Sequence, residues 1–411
     1  MVRMRPRRRI SGCSCPPRAR LSLSRRAMVA MARVSRVCFV TCPSRQKNSP
    51  ATSVPSLSRS MRPPEGARAA SETPHVTMRR QTVLVTGAGG FIGSHVARAL
   101  ARGGYFVRAG TRRRPDDLAA GAEWAPCDLD VPAQVAAALE DVDLVVHAAY
   151  GDEGAMVRQG ENLAAAMAAN GVVNLLAFSS IAIYGGRTGV IVEDDEPAPP
   201  LGGYARAKRT CEALFRHWAA ESPERRVIAL RPGIVYGAGS KLWIDKMARR
   251  ILSGGWGVFG RQGEGRAALI HIDDLAEQCL AAVERLVGAE RASLAAFEPL
   301  NCVGPECPRW NDYFQALARA LDQEPLRRWS PVELVARQML ALPAKASGRL
   351  GVSAPLGLAL APLPGELALF GLDVEISGDK ARRLLGYNPR LSLREGLEKS
   401  DLRATGQGQP L

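Results

Sequence analysis

Thr82-Val83-Leu84-Val85-Thr86-Gly87-Ala88-Gly89-Gly90-Phe91-Ile92-Gly93 is the stretch on which the fold turns. A short apolar run without alternation reads as a strand buried on both faces. The glycines that follow it open an amphipathic run from about Phe91 to Arg102, which reads as a helix. In such a strand–turn–helix unit Gly87 allows the sharp turn, Gly90 lets the backbone approach a pyrophosphate, and Gly93 lets helix and strand pack closely. The free N–H groups and positive dipole end of the helix then face the phosphates, next to Phe91 and Ile92. The spacing is G-x-x-G-x-x-G rather than the commoner G-x-G-x-x-G. Its place between an apolar strand and a helix makes it specific, because turns collect glycine elsewhere as well.

Downstream the pattern keeps alternating. Strands are expected at Phe106–Ala109, Ala122–Ala125 (ending at Cys127-Asp128-Leu129), Leu144–Ala148, Leu175–Phe178 and Val227–Leu230. Helices are expected at Ala133–Leu139, Glu161–Ala169 and Tyr204–Ala220. Buried strands separated by helices predict an α/β fold with a doubly wound parallel sheet, the Rossmann fold. After Arg231 the spacing loosens into Gly- and Pro-rich connections, which predicts a smaller C-terminal substrate-binding lobe over the sheet's carboxyl edge. The organisation expected is a basic extension over 1–77, a dinucleotide-binding domain over 78–235, a lobe with returning Rossmann elements over 236–400, and a flexible tail over 401–411.

The 411-residue chain has 55 Lys+Arg, 40 Asp+Glu and a net charge of +15. From Met1 to Arg80 there are 18 Lys+Arg and two acids, so the remaining 37 basic and 38 acidic residues nearly cancel. A near-neutral folded part offers no field to attract nucleic acid. The Arg-, Ser- and Pro-rich extension lacks apolar period and reads as disordered. Met78, which runs directly into the first strand, is the expected start; a transit peptide or an interaction arm are the alternatives. Cys127, Cys211, Cys279, Cys302 and Cys307 lie outside the extension with no C-x-x-C pair and no zinc spacing, so no metal is expected and reduced thiols in a cytoplasmic setting are. Organelle import is the alternative if the extension is a leader. The most apolar segment, Leu356–Leu372, is broken by Pro362, Pro364 and Glu366, so no membrane span is expected.

Tyr204-Ala205-Arg206-Ala207-Lys208 places Tyr and Lys four residues apart on one helix face. A free Tyr titrates near ~10, too high for a base at neutral pH. A neighbouring ammonium, with a positive nicotinamide, is expected to lower that value. Tyr204 then exchanges a proton with a substrate oxygen while hydride moves to or from the ring, and Lys208 also orients the nicotinamide ribose. Ser180, at the carboxyl end of the fifth strand, is placed to hold the same oxygen. At the end of the second strand the slot reads Gly110-Thr111-Arg112-Arg113-Arg114, with no acid before Asp116. An acid there binds a ribose 2′-OH and an Arg pairs with a 2′-phosphate, so Arg112 favours NADP, with NAD as the alternative. Asp128 and Leu129 are placed for the adenine edge; an ordinary helix cap is the competing reading of Asp128.

These residues resemble a known family. The glycine loop, His147-Ala148-Ala149, Ser179-Ser180-Ile181-Ala182-Ile183-Tyr184-Gly185, Tyr204 to Lys208 with Glu212, Leu230-Arg231-Pro232-Gly233-Ile234-Val235-Tyr236-Gly237, His271-Ile272-Asp273-Asp274-Leu275-Ala276 and Lys380 to Pro389 look like the extended short-chain dehydrogenase/reductases, the NAD-dependent epimerase/dehydratase family. The resemblance implies Ser180, Tyr204 and Lys208 as catalytic residues. It also implies a nicotinamide cofactor held along Gly87 to Gly93, His147, Ala148, Ala149, Pro232 and Ile234, and often a homodimer. The dehydratase branch carries an acidic pair where this chain has Ile181 and Ala182, which argues against dehydration. Met156 stands where the family usually has an Asn of the active-site hydrogen-bond network. Val107 to Arg112 looks like the branch of dihydroflavonol reductase and 3β-hydroxysteroid dehydrogenase.

The reading is therefore an NAD(P)-dependent oxidoreductase acting on a secondary alcohol or ketone. A nucleotide-sugar 4-epimerase with retained NAD uses the same three residues and is the alternative. A non-catalytic cofactor sensor is the reading from another class. The Leu- and Ala-rich stretch Leu340–Leu372 suggests an apolar small-molecule substrate; Arg261 and Arg266 argue the other way.

Overall fold

The computed structural model describes residues 80–349, 360–400 and 402, so the expectations for 1–77 and for most of 401–411 lie outside the described residues. Strand β1 (Thr82–Thr86) is buried at all five positions, as a strand covered on both faces must be. It is followed by α1 (Phe91–Arg102), β2 (Phe106–Thr111), β3 (Glu123–Pro126), α2 (Pro132–Ala138), β4 (Leu144–His147), α3 (Glu153–Ala169), β5 (Asn174–Phe178), β6 (Gly189–Ile191), α4 (Gly203–Ala220) and β7 (Arg226–Pro232). Six of these strands and a later one, β10 (Phe297–Cys302), form a seven-stranded sheet in the order β10-β7-β5-β4-β1-β2-β3. Every pairing in it is parallel. The strand order reverses between β1 and β4, and that switch point opens a crevice at the carboxyl ends.

The sheet is covered on both faces. One core joins Val96, Leu100, Leu275, Cys279 and Val283 to the strands; the other brings Val135, Leu163, Met167, Phe215 and Trp218 against them. One local expectation is corrected. The helix expected at Glu161–Ala169 begins eight residues earlier, because the Asp152 carboxylate caps it by accepting from the N–H groups of Gly154 and Ala155 at 3.0 and 2.9 Å. Gly154 and Gly160 obscure the helical period, yet Gly160 is where Leu214 and Phe215 of α4 pack close. The seventh strand is a returning element of the lobe segment: the chain rejoins the sheet at Phe297–Cys302 after passing through part of the lobe.

Between β7 and that return lie β8 (Ile234–Tyr236), α5 (Lys246–Leu252), β9 (Leu269–His271) and α6 (Ile272–Val287). After it come α7 (Trp310–Ala320), α8 (Pro331–Arg349), α9 (Pro364–Phe370), β11 (Val374–Ile376), α10 (Asp379–Leu385) and α11 (Leu393–Glu398). The lobe has its own aromatic core, in which Trp256, Phe259, Trp310, Phe314 and Phe370 meet at centroid distances of 4.6 to 6.2 Å. The last motif is tied to the earlier one through Asp274. Its carboxylate accepts from the Tyr387 hydroxyl at 2.7 Å and from the N–H groups of Arg390 and Leu391 at 3.0 Å.

Candidate active site

The glycine turn does what its spacing demands. Gly87 has φ +73°, and a Cβ there would stand 2.6 Å from the Ala149 Cα. A Cβ on Gly93 would stand 2.2 Å from the Gly87 oxygen. Only glycine lets the turn, the β4 exit and α1 meet this closely. No side chain caps α1, so the first N–H groups of the helix are left to the crevice. These features fit the pyrophosphate of a dinucleotide.

The turn forms one end of a cleft of about 2130 Å³ that runs along the carboxyl edge and under the lobe. Of the residues expected at the site, Gly87, Gly90, Phe91, Ile92, Gly93, Arg112, Asp128, Leu129, Ala148, Ala149, Ser180, Tyr204, Lys208, Pro232 and Ile234 all line it. His147 does not, and its expected place on the cofactor is corrected. Its ring lies beneath the turn, 2.8 Å from the Thr86 hydroxyl through Nδ1. Burial, with the nearby Lys208 charge, lowers its pKa to about 3, so the ring is neutral and braces β4 against β1. Asp128 is not the cap of α2, where Val131 takes that position. Its carboxylate accepts from the Asp130 N–H at 3.1 Å and stays at the cleft edge.

Ser180 and Tyr204 both line the cleft, close enough that the Ser180 hydroxyl favours the ionised phenol, and Ser180 also accepts from the Ala182 N–H at 3.1 Å. The Lys208 ammonium lies 6.0 Å from the Tyr204 ring centre and donates to the Phe178 carbonyl at 2.7 Å. The expected lowering of the Tyr204 pKa by Lys208 is corrected. Tyr204 opens to the cleft but sits deep in it, and burial raises its phenol above the ordinary value, opposed only by the Ser180 hydroxyl. Lys208 is itself buried, and burial lowers its pKa to about 8 against the pull of Cys211 and Glu212. Met156 is buried among apolar side chains and offers no polar atom of its side chain to Lys208; the ammonium takes the backbone of β5 instead.

A buried network holds the loop after Ser180. Arg231 donates to both Glu212 carboxylate oxygens, at 2.9 and 2.7 Å, and to the Tyr184 hydroxyl and Glu193 carbonyl at 2.9 Å. Tyr184 in turn donates to Asn301 Oδ1 at 2.7 Å. Burial acts to lower the Arg231 pKa, and the bonds to Glu212 outweigh it and raise the value.

The far wall comes from Arg187, Ile191, Leu201, Val374 and Ile376, with Lys241, Trp243 and Lys246 from the Gly- and Pro-rich connections and Glu366, Leu369 and Leu372 from the Leu- and Ala-rich stretch. Lys246 and Arg250 pair with Glu366 at 3.1 and 2.9 Å; burial would raise that carboxyl, and the two cations hold it low. The expectation that Arg261 and Arg266 face substrate is corrected. Neither lines the cleft, and Arg266 is paired with Asp373 and Glu375 at 3.3 and 2.8 Å. Among the described residues no His/Cys/Asp/Glu group is arranged to hold a metal ion, and no helix is long and apolar enough to cross a membrane.

Known proteins fit this geometry. A 117-residue stretch is 26% identical to N-acetyl-alpha-D-glucosaminyl-diphospho-ditrans,octacis-undecaprenol 4-epimerase of Escherichia coli O157:H7, covering 28% of the chain and 35% of that protein. A 232-residue stretch is 25% identical to the uncharacterized protein y4nG of Sinorhizobium fredii, covering 54% of the chain and 51% of that protein. The chain thus spans between a third and about half of the curated relatives it matches. Among solved structures, MoeE5 in complex with UDP-glucuronic acid and NAD is 25% identical with a TM-score of 0.60, over 79% of this chain and 99% of that one. UDP-glucuronic acid 4-epimerase from Bacillus cereus, in complex with UDP-glucuronic acid and NAD, is 21% identical with a TM-score of 0.60 over 80% and 99%, a likeness of fold. The profile of the NAD dependent epimerase/dehydratase family matches residues 83–293. A match running from the first strand past the end of α6, and so across most of the sheet that builds the cleft, makes the chain a member of the NAD dependent epimerase/dehydratase family of enzymes.

Proposed function

We propose that this enzyme is a sugar 4-epimerase that retains NAD, with a nucleotide-linked or other diphosphate-linked sugar as substrate. The observation that carries this reading is the likeness to MoeE5, which holds UDP-glucuronic acid and NAD and is matched over the lobe as well as the nucleotide-binding half; the stretch shared with a diphosphate-linked sugar 4-epimerase supports the reaction. NAD, held along the Gly87–Gly93 turn, would supply the hydride acceptor for a secondary alcohol and the donor that restores it from the ketone. Ser180 holds the reacting oxygen through its hydroxyl. Tyr204 takes the proton from that oxygen and gives it back. Lys208 contributes its buried positive charge beside the phenol and anchors α4 to β5. Ile181 and Ala182 line the cleft where a dehydratase would need acids, so these two positions supply no proton to a leaving hydroxyl.

The test is to incubate the purified protein with UDP-glucuronic acid, UDP-glucose and UDP-N-acetylglucosamine and to follow the sugar protons by NMR. Inversion at C4 without net change in nicotinamide absorbance is the expected result. Stoichiometric consumption of reduced cofactor without inversion would replace this reading by the second one.

That second reading, an NADP-dependent reductase of an apolar ketone, is favoured by one observation: Arg112 and Arg113 both line the adenosine end of the cleft. Asp130 counters it in part, since its carboxylate already takes Arg158 and Gln159 and is held low by them, with a smaller contribution from Arg112. A charge-assisted bond to a 2′-phosphate has a typical worth of ~1.5–3 kcal/mol. Arg112→Ala is therefore expected to weaken NADP binding roughly 10- to 100-fold and to leave NAD within about threefold. Equal weakening of both, in fluorescence titrations, would remove Arg112 from cofactor choice.

A further inference from the structure

Residues 148–152 are all that separate β4 from α3, so the first turn of α3 stands over the carboxyl edge of the sheet. Asp152 caps that turn by accepting from the Gly154 and Ala155 N–H groups. The next residue, Glu153, is not needed as a cap, and it lines the cleft. Its carboxylate lies against Gly203 at the start of α4: a Cβ on that glycine would stand 1.5 Å from Oε2 and 2.9 Å from Oε1. Only a residue without a side chain leaves room for it there. Gly203 immediately precedes Tyr204, and the Tyr150 ring centre lies 5.7 Å from that of Tyr204. Glu153 therefore belongs to the reacting end of the cleft.

Oε1 of Glu153 is buried and has no hydrogen-bond partner among the described residues. Nearby cations of the cleft are committed elsewhere. Arg158 pairs with Asp130, Arg187 with Asp195 and Lys246 with Glu366, while Lys208 donates to the Phe178 carbonyl. A carboxylate oxygen taken out of water without a donor costs free energy that a hydrogen bond would recover. Proton transfer belongs to Tyr204 and Ser180, so the chemistry gives this second acid no task. What it lacks is a donor, and the cleft it lines is where a substrate brings one.

We propose that Glu153 sets sugar specificity: its carboxylate accepts from a hydroxyl of an uncharged hexose beside the reacting carbon and turns away a hexuronic acid. The proposal rests on the reading of this enzyme as an epimerase of diphosphate-linked sugars. A hydroxyl donating to a carboxylate makes one of the stronger hydrogen bonds. A uronate brings a second negative charge to the same end of the cleft, where water is scarce and like charges repel strongly. The discrimination comes from charge, with no change in the shape of the cleft.

The experiment compares the full-length, NAD-loaded wild type with Glu153→Gln, which keeps the size of the side chain and removes its charge. UDP-glucose, UDP-N-acetylglucosamine and UDP-glucuronic acid are each followed by NMR turnover and by calorimetric titration, which reads the preference even where turnover is absent. The wild type is expected to favour an uncharged sugar over the uronic acid by roughly tenfold or more. The variant is expected to lose roughly tenfold on the uncharged sugar and to gain on the uronic acid, with unchanged melting temperature and NAD affinity. A wild type that prefers the uronic acid, or the same preference in both proteins, would overturn the proposal and leave the epimerase reading standing. Equal losses on all three sugars with a lower melting temperature would overturn it in favour of a structural contact between α3 and α4. A wild type that neither binds nor inverts any of the three would overturn the epimerase reading, and the role of Glu153 with it.

Discussion

Tyr204→Phe is expected to lower turnover by about 10²- to 10⁴-fold, the range removed with a positioned acid/base, while cofactor affinity stays within about twofold. The hydroxyl is the only group the substitution deletes, and its neighbour is the Ser180 hydroxyl, which the cleft leaves open to substrate. Because burial holds the phenol above its ordinary pKa, Tyr204 is a proton donor at neutral pH in the protein's own field. In the oxidative direction it must give up that proton, so activity with an alcohol is expected to rise with pH, and activity with a ketone to fall. The buried Lys208, lowered to about 8, loses its charge over the same upward range, and the alcohol profile is expected to bend down above it. Steady-state kinetics across pH 6 to 10, with any substrate the NMR screen identifies, reads all of this. Activity in the Phe variant equal to wild type would take Tyr204 out of the chemistry.

Arg231→Met is expected to cost about 3–5 kcal/mol of stability, because it strands the Glu212 carboxylate in a buried site. That is a large part of the ~5–15 kcal/mol by which a folded protein is stable, and it corresponds to a melting temperature lower by roughly 10 °C. Glu212→Met alone is expected to be as damaging, since it leaves the guanidinium without its carboxylate. The double variant Arg231→Met/Glu212→Met is expected to recover most of the loss, because two apolar side chains of similar length replace a pair whose desolvation offsets much of its attraction. Differential scanning calorimetry of the three variants checks this. Additive losses in the double variant would show that the two residues act independently, against the bidentate geometry. Arg231 also supports Tyr184 and the Glu193 carbonyl, so the single variants should loosen the loop that carries Ser180 and lower turnover beyond the loss of folded protein.

The nucleotide-binding half was legible from local patterns because its information is local. A buried strand, a turn that only glycine can make, and a Tyr and Lys one helical turn apart each lie within a dozen residues of sequence. Their positions therefore follow from backbone geometry, and Gly87, Gly93, Ser180, Tyr204 and Lys208 stand in the cleft as their spacing demanded. What tertiary structure alone decided is set by contacts between distant segments. His147 carries the family's motif but faces the sheet interior, since strand alternation and Thr86 determine which side its ring takes. Arg266 looks like a substrate contact until β11 brings Asp373 and Glu375 beside it. Ile191, Leu201, Val374 and Ile376 form the far wall because β6 and β11, almost two hundred residues apart, pair in register. The direction of the Tyr204 shift follows the same rule. Sequence spacing reveals that an ammonium is near, but the depth of burial, which raises the phenol, is a property of the whole folded cleft.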